Sequence, residues 1–136
     1  MSKTFWLAGA AALLLAVTPA HAAWKGFFNK DAGFSFNAPT GLKSEKANYR
    51  FANGQTRPAT VYRVVEDDIQ YRVTIADAGA MKEADAIKAA SDTFNGGGRK
   101  MLSNEEARVD SNYGRKLSLD LANNGGRQVI SIFFNK

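Results

Sequence analysis

The sequence predicts an α+β domain: an antiparallel sheet with one main helix packed on one face, preceded by a signal peptide that is cleaved. Three observations predict it. A short positive start, Met1-Ser2-Lys3, leads into an apolar run from Phe5 to Val17 and then Thr18-Pro19-Ala20-His21-Ala22. Two segments, Thr60 to Glu66 and Ile69 to Ala76, alternate in polarity around a short acidic gap. One stretch, Met81 to Asn95, has helical periodicity.

The N-terminal segment has the parts of an export signal: a positive end, an apolar middle and small residues at Ala20 and Ala22 before the cut. Cleavage is expected before Ala23, giving residues 1–22 as signal peptide and 23–136 as one domain. The mature chain of 114 residues (136 less 22) suits a single core. It keeps 17 basic and 13 acidic side chains, a net charge of +4. No later run reaches the roughly 20 apolar residues needed to cross a bilayer, so no integral membrane segment is expected after cleavage.

Along the mature chain, Trp24 to Asn29 reads as an edge strand or an N-terminal arm. Lys30 to Gly33 turns, and Gly33 to Asn37 alternates with Phe34 and Phe36 on one face. Pro39 cannot donate to a ladder and is expected to end that strand. Ser44 to Phe51 is a strand of weak pattern, and Asn53-Gly54 suits a tight turn. If Asp67-Asp68 form a two-residue turn, Val64 faces Tyr71, Tyr62 faces Val73 and Arg63 faces Arg72. The apolar residues then share one face, which a one-residue slip would scatter.

Met81, Ala84, Ile87, Ala90 and Phe94 form the helical stripe. Gly96-Gly97-Gly98 ends the helix, with Arg99 and Lys100 suited to its negative end. Met101 to Asp110 reads as a strand, Ser111 to Gly114 as a turn, and Arg115 to Leu121 as an alternating strand. A turn centred on Asn124-Gly125 would set Leu119 opposite Ile130 and Leu117 opposite Ile132. The chain stops just after the apolar run Ile132-Phe133-Phe134. That run is either the last strand inside the sheet or is followed by a C-terminal piece the sequence lacks; the second is favoured, because an exposed apolar edge invites aggregation.

Composition excludes much chemistry. The sole histidine, His21, leaves with the signal peptide, and there is no cysteine. Imidazole-based triads, thiol nucleophiles and cysteine zinc sites are therefore excluded from the mature chain. No cofactor and no metal is expected. The mild positive charge is not the clustered charge of a nucleic-acid binder. The glycines of Asn95 to Lys100 follow a helix instead of preceding one, so they read as a cap and not as a phosphate cradle. Glu66-Asp67-Asp68, with Asp77 a strand away, lacks calcium-loop spacing and reads as a solvated turn. The early aromatics Trp24, Phe27, Phe28, Phe34 and Phe36 read as core.

Arg63 and Arg72 are the best candidates for a site. Directly opposed like charges repel unless something negative lies near. Val61, Val65, Val129 and Phe133 are candidates for the same face, which would then suit an anionic ligand or a protein partner. The plainer reading is that Glu45 or Asp120 neutralises the arginines. Tyr113, expected at a turn, is a weaker addition.

The stretch Gly33-Phe34-Ser35-Phe36-Asn37-Ala38-Pro39, followed by the tyrosine-bearing hairpin, resembles the opening of PsbP-like or Mog1-like domains over residues 24–76. The resemblance implies an antiparallel sheet flanked by helices, and a non-catalytic accessory or assembly role. The chain departs from that pattern at its end, where such domains continue with further strand and helix.

The function expected is thus a non-enzymatic binding or accessory module of the bacterial envelope, periplasmic or secreted, whose partner is another envelope protein or an anionic ligand. A small secreted inhibitor working through Asn53-Gly54 and Gly96 to Lys100 is the alternative. A carboxylate-based hydrolase comes last, since no spacing selects an acid pair.

Overall fold

The centre of the molecule follows from one two-residue turn. Asp67 and Asp68 both take positive φ, 48° and 62°. That backbone matches the twist of antiparallel strands and fixes their register. Glu66 pairs with Ile69, Val64 with Tyr71, Tyr62 with Val73 and Arg63 with Arg72, as the alternation predicts.

The structure, a computed structural model, describes residues 23–135. The predicted signal segment, with Ala20 and Ala22 of its cleavage site, lies outside the described residues; Ala23 is the first of them. Eight strands and one helix follow: β1 (Trp24–Asn29), β2 (Phe34–Pro39), β3 (Lys43–Arg50), β4 (Thr56–Glu66), β5 (Ile69–Ala76), α1 (Glu83–Asp92), β6 (Lys100–Val109), β7 (Asn112–Asp120) and β8 (Arg127–Phe133). They form three antiparallel sheets: sheet I (β1-β2), sheet II (β3-β4-β5) and sheet III (β6-β7-β8).

The fold is therefore β-rich, which corrects the expected α+β domain with one sheet and one main helix. The helix is ten residues long, not the fifteen that the stripe suggested. Its buried residues are Ala86, Ile87, Ala89 and Ser91, while Ala84 of the predicted stripe is exposed. Four alanines spread around the helix give little apolar contrast, so Ile87 alone sets the buried face. Gly96, Gly97 and Gly98 all take positive φ after it. Arg99 donates to the Thr93 carbonyl at 3.4 Å, near the helix's negative end.

Sheet I packs on sheet II through aromatic rings. Phe36 stacks on Phe27 and Phe34 and meets Tyr62 edge-on at 5.6 Å. Asn29 donates to the Tyr62 hydroxyl at 3.1 Å. Trp24 meets Tyr71 edge-on at 5.2 Å but stays 55% exposed. Phe28, on the outer face, is also exposed. Pro39 ends β2, as expected: it is the last residue of the strand, opposite Trp24.

The helix lies against β7 and β8. It is tied to sheet II where the Ala52 amide donates to the Ala89 carbonyl at 3.3 Å, and where Tyr49 and Thr93 hydroxyls meet at 3.0 Å. Leu117 and Leu119 of β7 are completely buried, as is nearly all of Val61 on β4. Each such side chain contributes roughly 1.5–3 kcal/mol by leaving water.

Two hairpins differ from the pattern reading. In β7-β8, Leu117 faces Ile130 and Leu119 faces Gln128, a shift of two residues. The cause is the turn: Asn123 and Asn124 hold the positive φ positions, and the Gly125 amide donates to the Ala122 carbonyl at 3.1 Å. The shift is even, so each side chain keeps its face. In β6-β7 the turn is Asp110-Ser111, with Asp110 at φ 53°, so Asn112 to Gly114 belong to β7. Strand β8 is the edge of sheet III, not an interior strand.

Candidate functional site

The face of sheet II that carries Arg63 changes character along β4. Ala59 and Val61 are buried, Arg63 is exposed, and Val65 is 67% exposed. One half is covered from the side of α1, where Tyr49 reaches Thr93. The other half, toward the β4-β5 turn, is open.

On the open half lies a row of cations. Lys43 pairs in register with Arg63, and Arg63 with Arg72. Side chains so opposed in antiparallel strands stand about 5 Å apart, and like charges there are destabilising. One carboxylate answers them: Glu45, one pleat along β3, forms an ion pair and hydrogen bond with Arg63. Lys43 and Arg72 have no ion pair with any described residue. Three cations and one carboxylate leave this half-face with a local charge of +2. A shallow concavity of about 330 Å³ adjoins the row, lined by Gly41, Lys43, Arg63, Val64 and Val65.

The expected opposition of Arg63 and Arg72 is present, and Lys43 joins them, a neighbour that the sequence pattern does not indicate. Of the two predicted neutralisers, only Glu45 serves. Asp120 is in sheet III, between Lys100 and Arg127. Val129 and Phe133 also belong to sheet III, so they do not share this face with Val61 and Val65. Tyr113 lies apart from the arginines. It sits within β7 opposite Arg108, half-buried, on a different sheet from the arginines and two residues past the Asp110-Ser111 turn.

The second candidate surface is a groove of about 460 Å³ between the β3-β4 loop and α1, lined by Asn53, Gln55, Met81, Asp85, Lys88 and Asp92, among others. It brings in Asn53 but not the Gly96 to Lys100 loop, and its charges are of both signs. No group of three or more acidic, His or Cys side chains able to hold a metal occurs among the described residues.

Compared with known proteins, the chain matches no family model, no curated protein and no solved structure.

Proposed function

We propose that this protein is a non-enzymatic binding or accessory module exported to the bacterial envelope, and that it binds through the open half-face of sheet II. Arg63 and Arg72 are its anchoring cations, joined by Lys43. The observation that carries the reading is the cation row itself: three in-register cations, one carboxylate, and exposed Val65 beside them. Opposed like charges cost stability in the free protein. An anionic ligand or an acidic patch on a partner turns that cost into attraction. Export is supported by the Ala20-His21-Ala22 pattern behind an apolar run.

The test is an amide-resolved NMR titration of the purified protein with a soluble bacterial envelope extract. Shifts confined to residues 41–45, 61–66 and 69–74 are expected, and they should fade as salt rises. Shifts confined to 52–55 and 85–92 would move the site to the helix groove and refute this assignment.

A further inference from the structure

We propose that the cation row seats a terminal phosphate: a phosphate monoester held between Arg63 and Arg72, with the group it is esterified to lying over Val65. The proposal rests on the binding-face reading above and adds the class of ligand.

Charge is the first argument. The half-face carries +2 after Glu45 is counted. A phosphate monoester carries about −1.5 to −2 near neutral pH, whereas a carboxylate brings only one negative charge. The phosphate neutralises the row; the carboxylate leaves a cation over.

Donor supply is the second. A guanidinium has five N–H donors in a planar fork. Arg63 commits Nη2 to Glu45, and Arg72 commits none to a described side chain. Opposed Cβ atoms stand about 5 Å apart, so two side chains of this length have the reach to converge on one tetrahedral group with three acceptor oxygens. Lys43, on the other side of Arg63, adds a point charge.

Shape is the third. Val65 follows Arg63 on the same face and is two-thirds exposed. The concavity of about 330 Å³ beside it is at the small end of ligand pockets, large enough for a ring-sized group. The surroundings also choose between a discrete ligand and an anionic membrane plane. Glu66-Asp67-Asp68 form the hairpin tip just beyond Val65 and Gln70. A flat anionic surface touching the row would meet those acids within about a Debye length, while a discrete phosphate avoids them.

The test is calorimetric titration of the purified protein with phenyl phosphate, inorganic phosphate and benzoate, alongside flotation with phosphatidic acid vesicles. Phenyl phosphate should bind about tenfold more tightly than benzoate. Its binding should strengthen from pH 5 to 7, as the second phosphate ionisation near about 6 completes. Arg72→Gln should weaken it about tenfold while leaving the melting temperature unchanged or raised, since a repulsion is removed. Glu45→Gln should tighten it by freeing Arg63. Equal binding of benzoate, unchanged affinity in Arg72→Gln, or no binding of either phosphate probe at about 10 mM overturns the proposal. Binding to vesicles without binding of phenyl phosphate also overturns it, in favour of a membrane plane. If phenyl phosphate fails but the envelope extract still shifts this face, the phosphate assignment falls and the binding face stands. If both fail, both fall.

Discussion

Replacing Gly114 by alanine tests the pairing of β7 with β8 more severely than any core truncation. Gly114 sits in β7 opposite Phe133 and is buried. A Cβ built there lies 2.5 Å from Cδ1 of the Phe133 ring and closer still to the Ile132 carbonyl oxygen. Carbon atoms in contact need about 3.5 Å, so the strands must part by about 1 Å or the ring must leave. The ring alone cannot solve the problem, because the carbonyl belongs to the backbone. Overpacking of this kind costs about 3 kcal/mol at its upper range. Loss of one ladder hydrogen bond adds about 1 kcal/mol. Relief of glycine's chain entropy returns about 0.7 kcal/mol, leaving a net loss of about 3 kcal/mol. With a urea slope of about 1.5 kcal/mol/M, the unfolding midpoint should fall by about 2 M. Gly26→Ala is the control: Gly26 is also a paired strand residue, and its nearest neighbour, Asn37 Oδ1, is at 3.4 Å. That variant should match the parent or gain slightly. If Gly114→Ala unfolds within about 0.5 M of the control, the two-residue shift in the β7-β8 register is wrong.

Leu117→Ala should cost about 3 kcal/mol by urea unfolding, because Leu117 is fully buried, whereas Leu102→Ala, at a half-open β6 bulge, should cost less than about 1 kcal/mol. Ser91→Ala should stabilise the protein by about 1 kcal/mol, read as a rise of about 4 °C in melting temperature, because the Ser91 hydroxyl is buried without a partner among the described residues. A destabilised Ser91→Ala would mean that the hydroxyl is bonded after all. Asp68→Gly should add about 0.5–1 kcal/mol of stability, since Asp68 holds a φ of 62° in a turn that favours glycine there; a loss of stability would refute the turn geometry.

What the sequence revealed of the fold divides by how local each determinant is. The β4-β5 register was legible because Asp67-Asp68 is a two-residue turn between strands with clear alternation. The β7-β8 register was misplaced by two because Asn123, Asn124, Gly125 and Gly126 all tolerate positive φ, and composition does not say which pair does the turning. Strand β6 and strand β3 carry charges through their length, as edge strands do, so their patterns were weak. The helix stands out in the sequence as the one segment of helical period, yet it is one ten-residue element beside eight strands. Division into three sheets depends on pairing between hairpins, which no local pattern records.

The site was half legible, and the reason is a single loop residue. Read as a two-residue turn, Asn53-Gly54 would set Lys43 opposite Val64, on the aromatic face. The loop has three residues instead. The Gly54 amide donates to the Phe51 carbonyl at 2.9 Å, Gly54 takes φ 87°, and the Phe51 amide donates to the Gln55 carbonyl at 2.8 Å. This is a turn followed by a left-handed residue, the usual three-residue hairpin loop. The odd count inverts the parity of β3 against β4 and brings Lys43 opposite Arg63, with Glu45 on the same face. Had the loop been even, Arg63 would have lost Glu45 and the row would have held two cations. The loop thus sets both the third cation and the one carboxylate that restrains the second. A Gly54 deletion moves both together: it should turn Lys43 and Glu45 to the other face and leave Arg63 and Arg72 with the same net charge of +2, so phenyl phosphate should still bind. Arg63 and Arg72 would remain in register, because their pairing depends only on Asp67-Asp68. Loss of phenyl phosphate binding in a deletion variant with a folded sheet would show that Lys43 is needed to hold the phosphate and that the net charge of the half-face is not what selects the ligand.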